Sequence, residues 1–101
     1  IVNVISKSGV AAQTGQSVYT ASKYGMRGFT DVLREDTKKY PINVGAIYQS
    51  GTNTQMFEKA GEAGEDFPVD SFTEPKDLAI AVKFMIEQPE KIWITEMRIE
   101  K

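Results

Sequence analysis

Ile1-Val2-Asn3-Val4-Ile5 opens the chain, and Ile42-Asn43-Val44-Gly45-Ala46-Ile47 repeats its character forty residues on. Both runs are β-branched and nearly continuous in apolar residues. That composition suits strands of a parallel sheet, which are covered on both faces, better than the in-out alternation of a half-exposed strand. Between them, residues 6–16 are rich in Ser, Gly, Ala and Thr and read as a loop. From Val18 to about Lys39 the pattern is helical. Val18, Ser22, Gly25, Phe29 and Leu33 fall on one stripe at spacings of four, three, four and four, flanked by Ala21 and Val32. This stripe is expected to face the core. Ser17 is the expected N-cap, and Tyr40-Pro41 the expected end, because proline disfavours helical geometry in the residue before it.

Outward from this strand-helix-strand unit, residues 49–54 read as a polar turn and Gln55 to Ala60 as a short helix. Gly61-Glu62-Ala63-Gly64-Glu65-Asp66 reads as an acidic, mobile connection. Thr73-Glu74-Pro75-Lys76-Asp77 has the marks of a helix start, with Thr73 as cap, proline in the first turn and acids at the positive end of the dipole. Leu78, Ala81, Val82, Met85 and Ile86 give that helix an apolar face, and Gln88-Pro89 closes it. Ile92-Trp93-Ile94, with Met97 and Ile99, suggests a final strand interrupted by a turn. The fold class is α/β: strand, helix, strand, helix, strand. Such alternation predicts a thin parallel sheet joined by right-handed crossovers.

With 101 residues the chain is one domain at most, taken as 1–101. It has no cysteine and no histidine, which removes disulfides, the usual zinc ligands and Ser-His-Asp hydrolysis, so no metal site is expected. A net charge of −2 gives no reason to expect nucleic acid or an anionic membrane surface as partner. No apolar run approaches the roughly 18 residues needed to span a bilayer. The short apolar start lacks the basic flank of a signal peptide, so a soluble, cytoplasmic protein is expected. The chain opens inside an apolar run without an initiator methionine, which points to part of a longer polypeptide.

The residues best suited to chemistry are Tyr19 and Lys23. Four apart on a helix, they share a face at the edge of the expected buried surface. An ammonium beside a phenol favours the phenolate and readies the tyrosine to give or take a proton near neutral pH. By itself this spacing is common, and a surface tyrosine beside a solvated lysine accounts for most such pairs. The surrounding residues add weight. Ser6 lies at the end of the first strand, thirteen residues before Tyr19, with Gly9 just after it. Tyr19-Thr20-Ala21-Ser22-Lys23-Tyr24-Gly25 runs on into Met26-Arg27-Gly28-Phe29-Thr30.

In these features the chain resembles the short-chain dehydrogenase/reductase family, specifically its C-terminal catalytic half, and the similarity covers nearly the whole sequence. The resemblance implies a partial Rossmann-like, doubly wound parallel sheet that lacks the N-terminal nucleotide-binding half. It also implies hydride transfer between NAD or NADP and a small carbonyl or alcohol. Tyr19 would be the general acid or base, Ser6 would hydrogen-bond the carbonyl oxygen, and Lys23 would hold the nicotinamide ribose and favour ionised tyrosine. Thr52 and Thr54, together with Tyr19 and Lys23, would meet the cofactor; helix capping is the plainer reading of Thr54, and strand-end capping that of Ser6. A homo-oligomer, dimer or tetramer, is implied for the full-length form, because the helix bearing the tyrosine is usually an interface helix in this family. The tail from Ile92, with Glu74 to Ala79, is similar to a subgroup acting on small hydroxy acids or related alcohols.

One turn departs from the family. Its N-x-x-x-P-G pattern is replaced by Gly45-Ala46-Ile47-Tyr48-Gln49-Ser50, whereas Thr54-Gln55-Met56 keeps the later part. The family's glycine-rich phosphate loop, which seats the pyrophosphate on a helix N-terminus, is not in this sequence. An isolated piece would leave its first strand as an open hydrophobic edge. The alternative function is therefore a non-enzymatic relative or fragment acting as a binding or assembly module.

Overall fold

The computed structural model describes residues 1–61 and 69–101. Three strands, β1 (Val2–Val4), β2 (Gly45–Gln49) and β3 (Glu96–Ile99), form one parallel sheet in the order β1-β2-β3. Helix α1 (Ser17–Asp36) joins β1 to β2, and α2 (Met56–Lys59) and α3 (Pro75–Ile86) lie between β2 and β3. Single 3-10 turns occupy Lys7–Gly9 and Val69–Ser71. The alternating order and parallel pairing agree with the sequence reading. The acidic segment 62–66, expected to be mobile, lies outside the described residues. No described helix is long and apolar enough to cross a membrane.

The core is built around β2, whose residues from Gly45 to Tyr48 are buried. Successive residues of a strand point to opposite faces, so β2 needs cover on both. On one face Ala46 and Tyr48 pack with Ile5 and Val10, and Asn3, level with Ala46, donates from Nδ2 to Thr30 Oγ1 of α1 at 2.9 Å. On the other face, a Cβ added at Gly45 would lie 2.7 Å from Met85 Cε of α3 and 3.2 Å from the Trp93 ring. Glycine there lets α3 approach the sheet. The two helices thus cover opposite faces, which makes the sheet doubly wound. In a sheet whose strands follow chain order, helices on opposite faces require crossovers of opposite hand. One of the two therefore departs from the right-handed rule expected from the sequence. The physical reason is the double-sided burial of β2: once α1 covers Ala46 and Tyr48, only an element on the far side can cover Gly45 and Ile47.

The apolar stripe of α1 does not face the core. Val18 is 83% exposed, Phe29 58% and Val32 59%, and Gly25 is exposed with nothing near it. The inward face carries Lys23, Arg27, Thr30 and Arg34, again spaced four, three and four. The lysine and the two arginines can cover apolar surface with their long stems while their polar heads stay at its edge. The Arg27 guanidinium lies 5.8 Å from the Tyr48 ring centroid. Arg34 donates from Nε to Val44 O at 3.0 Å and from Nη2 to Thr95 O at 3.2 Å. Val44 O also accepts from the Trp93 indole at 2.9 Å, so three segments meet at one carbonyl. Helical periodicity reports that a face is apolar; it does not say what covers it.

Helix ends also differ from expectation. Ser17 is the first residue of α1 rather than its cap, and Gln16 at the cap makes no side-chain bond. The helix ends at Asp36, ahead of Pro41, where Thr37 Oγ1 donates to Leu33 O at 2.8 Å. The second strand begins at Gly45, three residues later than the sequence predicts, and takes in Gln49, which the sequence places in a turn.

Burial pushes the Tyr48 phenol above its ordinary range, against the pull of nearby Arg27. A phenol raised in the folded state keeps its proton where the unfolded chain has lost it. Its contribution to stability is therefore complete below about pH 10 and is lost as pH rises toward the folded value. Tyr48→Phe should lose less stability than the parent between neutral pH and strongly alkaline pH, read from urea midpoints. Equal losses in the two proteins would contradict this.

Candidate active site

The end of β1 delivers Ser6. Its backbone has φ 150°, and among the described residues no other non-glycine residue has a positive φ. Such a conformation costs about 1–3 kcal/mol and persists only where the surroundings impose it; residues of this kind concentrate at functional sites. Ser6 Oγ accepts from the Ser8 N–H at 3.1 Å and so caps the turn Lys7–Gly9. That turn lies directly against α1. A Cβ at Gly9 would come within 3.1 Å of Ile5 Cγ2 and Tyr48 Cε1 and 3.2 Å of Lys23 O. Glycine at this position permits the contact that brings the end of β1 to the first turns of α1.

Those turns carry Tyr19 and Lys23, both half-buried. Lys23 Nζ lies 5.3 Å from the centroid of the Tyr19 ring, a cation–π distance. The four-residue spacing thus brings the ammonium to the phenol, as the sequence predicts. Ser22 turns away and donates to Tyr19 O at 2.6 Å.

The end of β2 supplies the opposite wall. Ser50 N–H donates to Ile99 O, and the chain then pairs briefly with the segment before α3. Thr73 N–H donates to Gly51 O and Asn53 N–H to Thr73 O, both at 2.9 Å, forming a parallel bridge between Thr52 and Thr73. Thr73 is therefore a bridge residue and not the cap expected for α3; Glu74 holds the cap position without a side-chain bond, and Pro75 opens the helix. Thr54 Oγ1 accepts from the Met56 N–H at 3.3 Å, which is a capping contact at the start of α2.

Between these walls, at the C-terminal ends of β1 and β2, lies a cavity of about 870 Å³. This is where open α/β sheets hold ligands. Ser6, Tyr19, Thr52 and Thr54 all line it, so four of the five residues singled out in the sequence meet at one cavity. Lys23 does not line it and stands behind the Tyr19 ring. The lining also includes Gln49, Ser50, Phe57 and Phe72, whose roles the sequence reading did not identify. For the first two a signal existed, since they stand where the family pattern is broken. Gln49 Oε1 and Ser50 Oγ are buried and find no hydrogen-bond partner among the described residues. Leaving a buried polar atom unpaired costs about 1–3 kcal/mol.

Comparison with known proteins gives a consistent picture. A family model described as short chain dehydrogenase matches residues 1–65. Carbonyl reductase family member 4 of Danio rerio is 36% identical over 91 residues, which cover 88% of this chain and 38% of that protein. The closed form of serine dehydrogenase complexed with NADP+ superposes with a TM-score of 0.79 at 22% identity, over 100% of this chain and 43% of the other. 4-Hydroxyisoleucine dehydrogenase complexed with NADH and succinate gives 0.76 at 25% identity, over 99% and 43%. The chain thus spans less than half the length of each of these three proteins.

Proposed function

The chain belongs to the short chain dehydrogenase family, and from that premise we propose that it carries the catalytic part of an NAD(P)-dependent oxidoreductase acting on a small carbonyl compound or the matching alcohol. In this reading residues 1–101 are one domain, the C-terminal part of a dinucleotide-binding domain. The observation that carries it is the meeting of Ser6 and Tyr19 at one cavity with Lys23 stacked behind the tyrosine.

Each residue has a role that its geometry supports. The Tyr19 hydroxyl gives its proton to the carbonyl oxygen during reduction and takes it back during alcohol oxidation. Ser6 Oγ accepts from Ser8 N–H, which leaves its own proton free to donate to the same carbonyl oxygen. The Lys23 ammonium, placed against the Tyr19 ring, is assigned to the nicotinamide ribose. Thr52 and Thr54, on the cavity wall, would meet the bound cofactor. Bound NAD or NADP would supply the hydride. The unpaired Gln49 Oε1 and Ser50 Oγ fit a ligand with amide and hydroxyl groups. The exposed Val18, Phe29 and Val32 on α1 suit burial against a second subunit, in a dimer or tetramer of the full-length form.

The test uses the complete encoded polypeptide with NADH or NADPH and a set of small aldehydes and ketones. Loss of reduced-nicotinamide absorbance that requires both protein and carbonyl is expected. Nucleotide binding without turnover on any carbonyl would favour the alternative, a binding or assembly module, for which the replaced turn at Gln49-Ser50 is the supporting feature.

A further inference from the structure

The cavity lining combines polar residues, among them Ser6, Tyr19, Gln49 and Ser50, with a group of apolar ones, Met56, Phe57, Phe72 and Leu78. We infer that the substrate carries an apolar substituent, aryl or branched alkyl, on its carbonyl carbon, and that this group lodges against Phe57 and Phe72. The inference rests on the oxidoreductase reading and specifies its substrate class.

The apolar wall is held in place by the backbone. Phe57 and Phe72 pack with ring centroids 5.1 Å apart at an interplanar angle of 39°. A Cβ at Gly51 would fall 2.4 Å from Phe72 Cε1, so the ring lies directly on the Gly51 backbone, in space that any other residue would fill. The bridge between Thr52 and Thr73 fixes the segments bearing the two rings relative to each other. Asn53 Nδ2 strengthens the same junction by donating to Glu74 Oε1 at 3.1 Å. Lys101 Nζ donates to Asp70 O at 2.6 Å and Phe72 O at 3.3 Å, which holds the turn that presents Phe72. An aromatic wall fixed in this way needs little reordering when a ligand arrives, and preorganisation of this kind raises affinity. A pocket of this composition selects apolar groups by area: each buried methylene contributes about 0.8 kcal/mol, roughly fourfold in a binding constant.

The experiment is a kcat/KM series on the complete polypeptide with its preferred nicotinamide cofactor. Ketones with a constant methyl group and a second substituent growing from methyl through isobutyl to phenyl are compared. A rise of at least about tenfold from the smallest to the largest is expected. Phe57→Ala should flatten the series while leaving the KM for cofactor unchanged. Met56→Lys is the second variant, because Met56 is 53% exposed on a short helix and tolerates a charge without refolding the core; it too should flatten the series. A flat or falling series in the parent protein, with turnover present, overturns the inference and spares the oxidoreductase reading. A rising series that neither variant flattens also overturns the inference, because some other wall would then select the substituent. Absence of turnover on every ketone overturns both.

Discussion

Tyr19→Phe should lower carbonyl-dependent oxidation of reduced nicotinamide by roughly 10²- to 10⁴-fold, the usual contribution of a positioned acid–base group. The substitution removes one oxygen and leaves the ring. Lys23 Nζ at 5.3 Å from the ring centroid keeps its cation–π partner, and the helical backbone around residue 19 keeps its geometry. Nucleotide affinity should therefore remain close to that of the parent, measured by fluorescence titration or calorimetry. The two readouts separate roles. Loss of turnover with binding preserved assigns the proton to Tyr19; loss of both would mean that the ring supports the pocket and that the proton comes from elsewhere. Undiminished turnover would remove Tyr19 from the chemistry.

Ile47→Ala should destabilise the fold by about 2–5 kcal/mol, the range for deleting a buried branched side chain without collapse of the space it filled. Ile47 is fully buried in the central strand, level with Val4 on one side and Met97 on the other. It points to the same face as Gly45, the face that α3 covers through Met85. A domain of this size has only about 5–15 kcal/mol in total, so the variant should show a much lower urea midpoint and a reduced population of folded protein at physiological temperature. Ile47→Val, which removes one methyl group, should cost only about 0.5–1.5 kcal/mol. Near-equal midpoints for Ile47→Ala and the parent would show that the α3 face of the sheet is loosely packed, and the opposite-face arrangement of the two helices would lose its energetic basis.

Much of this architecture can be read from local pattern. The β-branched runs at residues 1–5 and 42–47 and the helical spacing from Val18 onward yield the strand-helix-strand order directly. Tyr19 and Lys23 meet because an α-helix brings residues four apart together, and that part of the site is legible without any tertiary information. Ser6 is legible only by resemblance, since its approach to α1 depends on Gly9 fitting between Ile5, Tyr48 and the Lys23 carbonyl. The orientation of α1 is not legible. Its apolar stripe and its polar stripe have the same period, and burial goes to the polar one because Arg27, Thr30 and Arg34 find Tyr48, Asn3 and the carbonyls of Val44 and Thr95. Thr73 is misread for a related reason: a threonine before Glu-Pro has the composition of a helix cap, but its backbone is taken by Gly51 and Asn53 across the cavity wall. Residues far apart in sequence decide both outcomes, and the placement of α1 and α3 on opposite faces of the sheet follows from the same kind of long-range demand.

The most direct test of the central claim follows the hydride itself. The complete polypeptide is incubated with reduced nicotinamide cofactor carrying deuterium at both positions of the reactive ring carbon and with a methyl ketone bearing an apolar group, and the alcohol product is analysed by mass spectrometry. The account predicts one deuterium on the carbinol carbon, appearing roughly 10²- to 10⁴-fold more slowly in Tyr19→Phe. An alcohol without deuterium, or no alcohol from any ketone in the presence of bound cofactor, would contradict it.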